Sequence, residues 1–395
     1  MSSRLRIIVN GLIGQHPMLG GITWHYLQFP LGLSRLGHDV YYIEDSGEWP
    51  YNLDGGPTGD DWIARDASTN VDHLERVMGR FGLGGKWSYR FPTEPSPGWY
   101  GMPDQKREEI IRSADLLLNV SGTLEHPEQY RAVPRLVYID SDPVFTQVKI
   151  ANGLKDFRAR VDAHDVHFSF GERLCSSVPE TGHIWQATRQ PVVLSEWTPT
   201  DQTRDVFSTV MNWTSYKPLK YKGRSFGQKD VEFCRFLDLP GRVSPTTLEV
   251  AMSRTEHAEW QTASSAELQR MDWRLVDAHV SCGDLDSYRR YIQSSKAEWS
   301  VAKNGYVEGQ PGWFSDRSAC YLASGRPVVV QETGFSKVLP VGEGLVAFST
   351  IEEAAEGIRA VEADYPRHRR AARRIAEEFF DSKKVLSQLL ERALA

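Results

Sequence analysis

A glycine-rich segment that leads into a short apolar run, residues 304–334, constrains the fold of this chain more than any other feature. Asparagine, glycine and proline recur through residues 304–312 and predict an irregular loop. Ser315 and Asp316 are suited to cap the helix that would follow, because a short side-chain oxygen accepts a free amide of the first turn. The apolar residues 327–330 then predict a buried parallel strand. A loop that opens a helix in this way presents free amides and a positive helix end, to which a phosphate group would bind.

Length and composition limit the class of protein. The chain has 395 residues, enough for two domains, and its 40% hydrophobic and 25% charged residues are typical of a globular protein. A formal net charge of -6 gives no support for a nucleic-acid surface, so we expect no nucleic-acid partner. The four cysteines lack a metal-binding or disulfide spacing, and no apolar run has the length of a signal peptide or a membrane span. These features predict a cytoplasmic protein with reduced thiols and no membrane span.

Short apolar runs alternate with stretches of helical spacing along the chain. Strands are predicted at residues 6–10, 40–43, 115–120, 135–139, 166–170, 206–212, 247–252 and 274–280. Helices are predicted at residues 24–36, 70–81, 286–294, 349–363, 367–380 and 381–394, among others. This alternation is typical of parallel sheets covered by helices, in which ligands bind beyond the carboxyl ends of the strands. Residues 46–105 are rich in Gly, Pro, Trp and Asp, and we expect this long elaboration to shape a ligand pocket.

Two parts of the sequence resemble glycosyltransferases of the GT-B fold. ACYLASGRPVVVQETG, residues 319–334, is similar to a segment of their nucleotide-sugar domain, and the longer string GWFSDRSACYLASGRP resembles bacterial glycosyltransferase-like proteins of that superfamily. A helix that ends in Leu-Gly-His-Asp-Val before a strand, at residues 36–40, resembles the first unit of a GT-B acceptor domain. The resemblance implies an α/β fold with two Rossmann-like domains facing a cleft. It also implies an acceptor-binding domain at 1–198, a donor-binding domain at 199–376, and a C-terminal helix at 377–395 that packs back toward the first domain.

The donor-binding residues follow from this resemblance. GT-B donor domains often carry an Arg and a Lys shortly after their first strand to neutralise the donor diphosphate, and Arg224 and Lys229 have approximately that spacing. The other predicted donor contacts are Asn304, Gly305, Gly312, Ser315, Asp316 and Arg317 for the nucleotide and diphosphate, and Glu332 and Thr333 for the sugar. Without the resemblance, the glycines only turn the chain, the two capping residues only cap, and the basic segment is an ordinary solvated loop.

The loop after the first strand would face the cleft from the acceptor domain. His16 in this loop is the predicted catalytic base, because inverting members of the superfamily use such a histidine to take the proton of the acceptor hydroxyl. A surface or capping histidine is the alternative interpretation. The other predicted acceptor or cleft residues are Gly14, Gly20, Gly21, His25, Asp140 and Asp142. The Asp-x-Asp pair at 140–142 holds a divalent cation in another glycosyltransferase fold, but here it follows a strand of the acceptor domain, so we predict a turn with acceptor contacts and no metal.

These features together predict a glycosyltransferase. It would move a sugar from a nucleoside-diphosphate sugar, with a UDP-sugar favoured, to a hydroxyl of a small-molecule acceptor, without a metal or further cofactor. A base at His16 would imply inversion of the anomeric configuration. If His16 is only a structural residue, retention of the configuration by front-face attack stays open. The alternatives are a nucleotide-sugar epimerase of the same fold and a non-catalytic glycosyltransferase-like binding protein. A dehydrogenase is disfavoured because no G-x-G-x-x-G follows a predicted strand. The oligomeric state is open, with a homodimer among the options.

Overall fold

The first of two mainly parallel sheets is formed by the N-terminal half of the chain. The structure is a computed structural model that describes residues 4–51, 63–92, 98–154, 156–201, 204–252 and 265–395. Within these ranges the strands of the first sheet are β1 (Arg6–Asn10), β2 (Asp39–Glu44), β3 (Trp87–Phe91), β4 (Gly98–Gly101), β5 (Leu116–Val120), β6 (Leu136–Asp140), β7 (Val166–Ser169) and β8 (Trp185–Ala187). Their spatial order is β4-β3-β2-β1-β5-β6-β7-β8, and only the β3–β4 pair is antiparallel.

The second sheet is formed by later residues and is parallel throughout its described part. Its first strand is β9 (Arg204–Met211), which is followed by the antiparallel hairpin of β10 (Leu219–Tyr221) and β11 (Arg224–Phe226). The remaining strands are β12 (Thr247–Met252), β13 (Arg274–Asp277), β14 (Ser295–Ser300), β15 (Val328–Gln331) and β16 (Leu345–Phe348). The spatial order β13-β12-β9-β14-β15-β16 reverses direction at β9, as the first sheet does at β1. Such reversals open the crevice in which doubly wound sheets bind ligands.

Helices connect the strands and pack on the sheets. Those of the N-terminal half are α1 (Gly20–Arg35), α2 (Ser68–Arg80), α3 (Asp104–Ser113), α4 (Phe145–Ala151) and α5 (Phe157–Asp162). Those of the C-terminal half are α6 (Lys229–Phe233), α7 (Leu239–Val243), α8 (Ser265–Arg270), α9 (Ala278–Cys282), α10 (Leu285–Ser294), α11 (Asn304–Gly309), α12 (Asp316–Ala323), α13 (Ile351–Ala363), α14 (Tyr365–Phe379) and α15 (Ser382–Leu394). In the described part of the chain, no helix combines the length and the apolar character that crossing a membrane requires.

The chain end returns to the first sheet, as the predicted fold requires. The amide of Val192 donates to the carbonyl of Phe380 (2.7 Å), and the amide of Ser382 donates to the carbonyl of Val192 (2.9 Å). This short bridge directs α15 onto α1, where the side chain of Leu386 approaches Gly32 so closely that a Cβ on that glycine would lie 2.6 Å away. The prediction of an α/β fold with two Rossmann-like sheets and returning C-terminal helices is confirmed.

Helix α1 joins the two halves of the molecule because its first turn packs against α10. A Cβ on Gly20 would lie 2.2 Å from the carbonyl oxygen of Asp284, and one on Gly21 would lie 2.9 Å from the ring of Tyr288. The indole of Trp24 donates to the carbonyl of Leu285 (2.9 Å). The two glycines therefore let the start of α1 approach the second half closely. They belong to the helix itself, whereas the sequence predicted that the helix begins at residue 24.

Two other predicted segments differ from the structure. Residues 304–309, expected as loop, form α11, and a Cβ on Gly305 in this helix would lie 2.5 Å from the ring of Phe145 in α4. Residues 278–280, expected to extend a strand, begin α9 because the side chain of Asp277 accepts the amide of His279 (2.9 Å) and caps the helix. Tertiary contacts favour a helix in the first segment, and a local cap favours a helix in the second, although the composition of each predicted otherwise.

Candidate active site

A cavity of about 560 Å³ lies between the two sheets, at the carboxyl ends of their strands. The first half of the molecule contributes the segment after β1 with the start of α1, and the segments after β5, β6 and β7. The second half contributes the segments after β9 and β14 and the first residues of α6 and α12. The cavity therefore occupies the position at which parallel α/β sheets bind ligands, and its volume suits a small-molecule ligand.

About half of the predicted site residues line this cavity. Those that do are Gly20, Gly21, His25, Asp140, Asp142, Lys229, Ser315, Asp316 and Arg317. Those that do not are Gly14, His16, Arg224, Asn304, Gly305, Gly312, Glu332 and Thr333. None of the described residues in the elaboration at 46–105 lines the cavity either, although we expected this segment to shape it.

His25 and Asp316 meet across the cavity from opposite halves of the molecule. His25 lies in the second turn of α1, and its Nδ1 is 3.3 Å from the carboxylate of Asp316, the first residue of α12. Its Nε2 is 3.4 Å from the hydroxyl of Ser121. Burial acts to raise the pKa of Asp316, but the hydrogen bond and charge of His25, with the charge of Arg317, outweigh burial and lower it. Asp316 is thus held as a carboxylate beside the imidazole.

Lys229 is the first residue of α6 and lines the cavity from the second half. Its Nζ makes no hydrogen bond or ion pair with any residue that the structure describes. Burial lowers the pKa of Lys229 well below its usual value, and the positive charges of Arg317 and Lys303 lower it further. An anion that entered the cavity would supply the missing counter-charge and stabilise the protonated amine.

Arg317 lines the same side of the cavity, but its guanidinium is committed to the protein. It donates to the carboxylate of Glu298 (2.5 Å), the carbonyl of Val210 (2.7 Å) and the hydroxyl of Ser300 (2.7 Å). These partners belong to β14 and β9, so Arg317 fixes the start of α12 onto the second sheet. Arg317 therefore contributes positive charge to the cavity, while its hydrogen bonds hold the helix start in place.

The two aspartates after β6 are also committed to protein groups. The buried carboxylate of Asp140 accepts hydrogen bonds from Thr146 (2.7 Å), Gln147 (3.0 Å) and Ser169 (2.9 Å). The carboxylate of Asp142 is bridged to the second half of the molecule by Lys303 (2.8 Å), Tyr216 (2.8 Å) and the hydroxyl of Tyr306. These carboxylates hold the start of α4 and join the two halves, and neither is left with free oxygen ligands directed together at a cation.

The structure does not bring His16 or Arg224 to the cavity. The ring of His16 stacks on Tyr51 at a centroid distance of 4.8 Å, and burial lowers its pKa to about 4. Arg224 lies on the β10–β11 hairpin, is exposed, and donates to the carbonyls of Ser177 (3.0 Å) and Glu308 (2.8 Å). The geometry therefore gives no support to a catalytic His16 or a diphosphate-binding Arg224, and both are left out of the site proposed below.

The remaining predicted donor residues make hydrogen bonds within the protein and do not line the cavity. Asn304 donates to the carboxylate of Glu232 (2.8 Å) and accepts the amide of Gly227 (2.9 Å). Gly312 has a φ of +76° that favours glycine, and its amide donates to the carbonyl of Thr333 (2.8 Å). The hydroxyl of Thr333 donates to the carbonyl of Trp313, and Glu332 accepts the amide of Gly334. These contacts are structural, and they hold the segment between α11 and α12.

Gly14 is held by a buried carboxylate that the sequence analysis missed. Glu44, at the end of β2, accepts the amides of Gly14 (2.8 Å) and Gln15 (2.6 Å) and the hydroxyl of Tyr42 (2.8 Å). Burial raises the pKa of Glu44 to about 7, although these hydrogen bonds act to lower it. An acidic residue at the carboxyl end of a predicted strand was the available signal. Glu44 anchors the loop between β1 and α1.

We predict that Glu44 makes the stability of the protein fall as pH rises. Because the pKa of Glu44 is about 7 in the fold and 4.5 without it, the folded state binds more protons between these values. Stability should therefore be greatest below pH 4.5 with respect to this group, and ionisation should remove up to about 3 kcal/mol by pH 8. The decline is measured by denaturant titration as the difference in stability between the wild type and Glu44→Gln at pH 5, 6, 7 and 8, because groups such as His16, whose lowered pKa makes stability rise with pH, cancel in that difference. The exposed Glu356→Gln is the matched control, and the same pH dependence in all three proteins would contradict the prediction.

Comparison with known proteins was made at the level of sequence and of structure. No family model matches the sequence, and no curated protein matches it. Solved glycosyltransferases of the GT-B fold do match the structure over nearly the whole of both chains. An alpha-glucosyltransferase in complex with UDP and DNA containing a HMU base matches with a TM-score of 0.61 and 11% identity, with 100% of both chains covered. HepE from Anabaena in complex with UDP-glucose matches with a TM-score of 0.59 and 11% identity, covering 98% of this chain and 99% of that one.

A third similar structure is sucrose-phosphate synthase from Thermosynechococcus elongatus, with a TM-score of 0.53, 12% identity, and coverage of 98% of this chain and 99% of that one. At these identities the likeness establishes the fold. The chain therefore has the GT-B fold, as the resemblance of residues 319–334 predicted, and its structural neighbours include glycosyltransferases in complex with UDP or UDP-glucose.

One prediction about partners is wrong. We excluded nucleic acid on the basis of net charge, but three of the similar alpha-glucosyltransferase structures contain DNA together with UDP. Net charge averages over the whole chain, whereas nucleic acid is bound by local charge and shape, so a net charge of -6 is no ground for exclusion.

Proposed function

We propose that this protein is a glycosyltransferase that moves a sugar from a UDP-sugar to a hydroxyl group of a small-molecule acceptor in the cavity. The observation that carries the proposal is Lys229, a cation without a partner among the described residues that lines a cavity between two Rossmann-like sheets. The leaving nucleoside diphosphate gains negative charge as the glycosidic bond breaks, and a fixed cation stabilises that charge. UDP is favoured because structural neighbours are in complex with UDP or UDP-glucose.

The diphosphate is proposed to lie between Lys229 and two helix N-termini. Helix α12 begins after Ser315, whose hydroxyl makes no cap hydrogen bond with its own helix. Helix α1 begins at Gly20 and also lacks a side-chain cap, and both starts line the cavity. Free amides of a first helical turn bind phosphate oxygens, and the helix dipole favours the negative charge. In this arrangement residues 199–376 hold the donor, with the start of α1 as the one contribution from the first half, and the rest of residues 1–198 hold the acceptor.

We further propose that the reaction needs no divalent metal. Lys229 and the two helix starts supply positive charge where a metal would otherwise neutralise the diphosphate. The carboxylates of Asp140 and Asp142, which were the candidate ligands in the sequence, already accept hydrogen bonds from protein groups. Turnover should therefore persist in excess EDTA.

His25 is proposed as the residue that takes the proton of the acceptor hydroxyl. With Nδ1 directed to Asp316, its Nε2 is directed to Ser121 and the cavity. A carboxylate on one ring nitrogen fixes the tautomer and leaves the other nitrogen able to accept a proton. His25 is the one histidine among the described residues that line the cavity. The role that the sequence predicted for His16 is thus proposed for a histidine one helix turn into α1.

Calorimetric titration of the purified protein with UDP, GDP, dTDP, ADP and NAD tests the donor class. UDP should bind and raise the apparent stability, because it binds the folded state alone. Release of UDP from UDP-glucose would then be measured in EDTA with hydroxyl acceptors that include sugars and a short DNA duplex. Response to NAD alone, or to no nucleotide, would overturn the proposal. Conversion of UDP-glucose without an acceptor would identify an epimerase, and UDP binding without turnover of any acceptor would identify a binding protein.

A further inference from the structure

A second lysine lines the cavity from the opposite side. Lys149 lies in α4 of the first half, whereas Lys229 begins α6 of the second. Like Lys229, it makes no hydrogen bond or ion pair with a residue in the described part of the chain. Its described contacts are with aromatic faces, because its Nζ lies 5.3 Å from the ring centroid of Phe157 and 5.6 Å from that of Tyr216.

The acidic groups of the cavity are already engaged by other residues. Asp142, whose pKa Lys149 helps to lower, is bridged by Lys303 at 2.8 Å and by two tyrosine hydroxyls. Asp316 is paired with His25. Lys149 and Lys229 line the same cavity as the Asp142–Lys303 bridge, Lys149 from the first half of the molecule and Lys229 from the second. One donor diphosphate would pair with Lys229 and leave Lys149 without a direct ion-pair partner among the described residues.

We infer that the acceptor carries an anionic group, a phosphate monoester or a carboxylate, and that Lys149 binds it. The inference rests on the proposed function, and it adds the chemical class of the acceptor. The ring of Phe157, which lines the cavity beside Lys149, would pack on the apolar face of the acceptor. An ammonium group that makes no ion pair with a protein carboxylate can form a charge-assisted hydrogen bond with an anionic group of the acceptor.

The inference commits to a small acceptor that carries a single anionic group. Nucleic-acid binding neutralises several phosphates at once with several Lys or Arg side chains. On the first-half side of the cavity, Lys149 is the one lysine or arginine among the described lining residues. One lysine without an ion-pair partner among the described residues matches one anionic group of the acceptor. The test therefore includes a short DNA duplex as a competing ligand.

The test titrates the UDP-saturated protein with inorganic phosphate, glucose 6-phosphate, glucuronate and glucose. The anionic probes should bind and glucose should not, and Lys149→Gln should weaken anion binding about tenfold or more, since hydrogen bonds between charged groups contribute that much. Lys149→Arg should restore part of the binding. The affinity for UDP itself should be the same in Lys149→Gln as in the wild type. Lys106→Gln, on the exposed face of α3 and outside the cavity, is the matched control.

Three outcomes would overturn the inference and leave the proposed function unaffected. The first is that no anionic probe binds once UDP is present, or that Lys149→Gln binds them as the wild type does. The second is that Lys149→Gln weakens the binding of UDP as much as Lys229→Gln does, which would assign Lys149 to the donor diphosphate. The third is that a short DNA duplex competes with the small anions at equal phosphate concentration and is preferred. Failure of the wild type to bind UDP at all would instead overturn the proposed function.

Discussion

Replacing Lys229 with methionine is expected to weaken UDP binding by about 10- to 100-fold, since an interaction between charged groups contributes roughly 1.5–3 kcal/mol. The same substitution should leave the free protein at least as stable as the wild type. Methionine has nearly the length of lysine and is apolar, so it removes an amine that makes no hydrogen bond or ion pair with the described residues. Calorimetry with UDP and denaturant titration of the free protein measure the two effects.

The sign of the stability change separates this expectation from simple misfolding. Lys303→Met is the contrasting variant, because it removes the cation from Asp142, whose carboxylate joins the two halves of the molecule. It should lower the stability of the free protein, whereas Lys229→Met should not. If Lys229→Met destabilises the protein and binds UDP as tightly as the wild type, Lys229 is a structural residue and the proposed donor site is wrong.

Binding of UDP should also be coupled to protonation of Lys229. The pKa of this amine is lowered in the free protein by burial and by neighbouring positive charge, and a bound diphosphate would raise it again. UDP should therefore bind with uptake of a proton, and its affinity should fall as pH rises. Calorimetry in buffers with different ionisation enthalpies measures the proton count, and loss of that uptake in Lys229→Met assigns it to this residue.

The strand pattern of the fold could be predicted from sequence because buried parallel strands are short unbroken apolar runs. Residues 247–252 match β12, and the runs at 6–10 and 115–120 match β1 and β5 to within one residue. The glycine-rich segment was harder, because composition favours a loop at residues 304–309 and tertiary packing makes it a helix. Its hydrogen bonds to Glu232 and Gly227 come from residues that local sequence rules do not connect to it.

Only those parts of the candidate site that have a local sequence signal could be predicted. Single segments such as Ser315–Arg317 could be found because a helix start after a loop is a local signal. His25 and Asp316 could not be predicted as a pair, because they lie far apart in the sequence and meet only when α1 packs beside α12. The distinction between His16 and His25 likewise depends on which side chain lines the cavity, since both follow the same strand.

His25→Ala is expected to lower the catalytic rate by about 10²- to 10⁴-fold, the range that a positioned proton acceptor contributes. The effect should lie in kcat, with UDP affinity nearly unchanged, because the imidazole is proposed to act on the acceptor hydroxyl. Asp316→Asn should lower kcat by a smaller factor, because it keeps the shape of the side chain and removes the charge that orients the ring. Single-turnover release of UDP from UDP-glucose, with the acceptor found in the screen, measures both.

His16→Ala decides between the two histidines, because it leaves the cavity untouched. Since the ring of His16 stacks on Tyr51 and does not line the cavity, its removal should change stability more than kcat. The anomeric configuration of the product gives a second, independent decision. With His25 as the base, the deprotonated acceptor oxygen attacks the anomeric carbon from the face opposite to the diphosphate, displaces the diphosphate and inverts the anomeric centre. A product of retained configuration, with kcat unaffected in His25→Ala, would show that the acceptor attacks from the face of the leaving diphosphate and that His25 only joins α1 to α12.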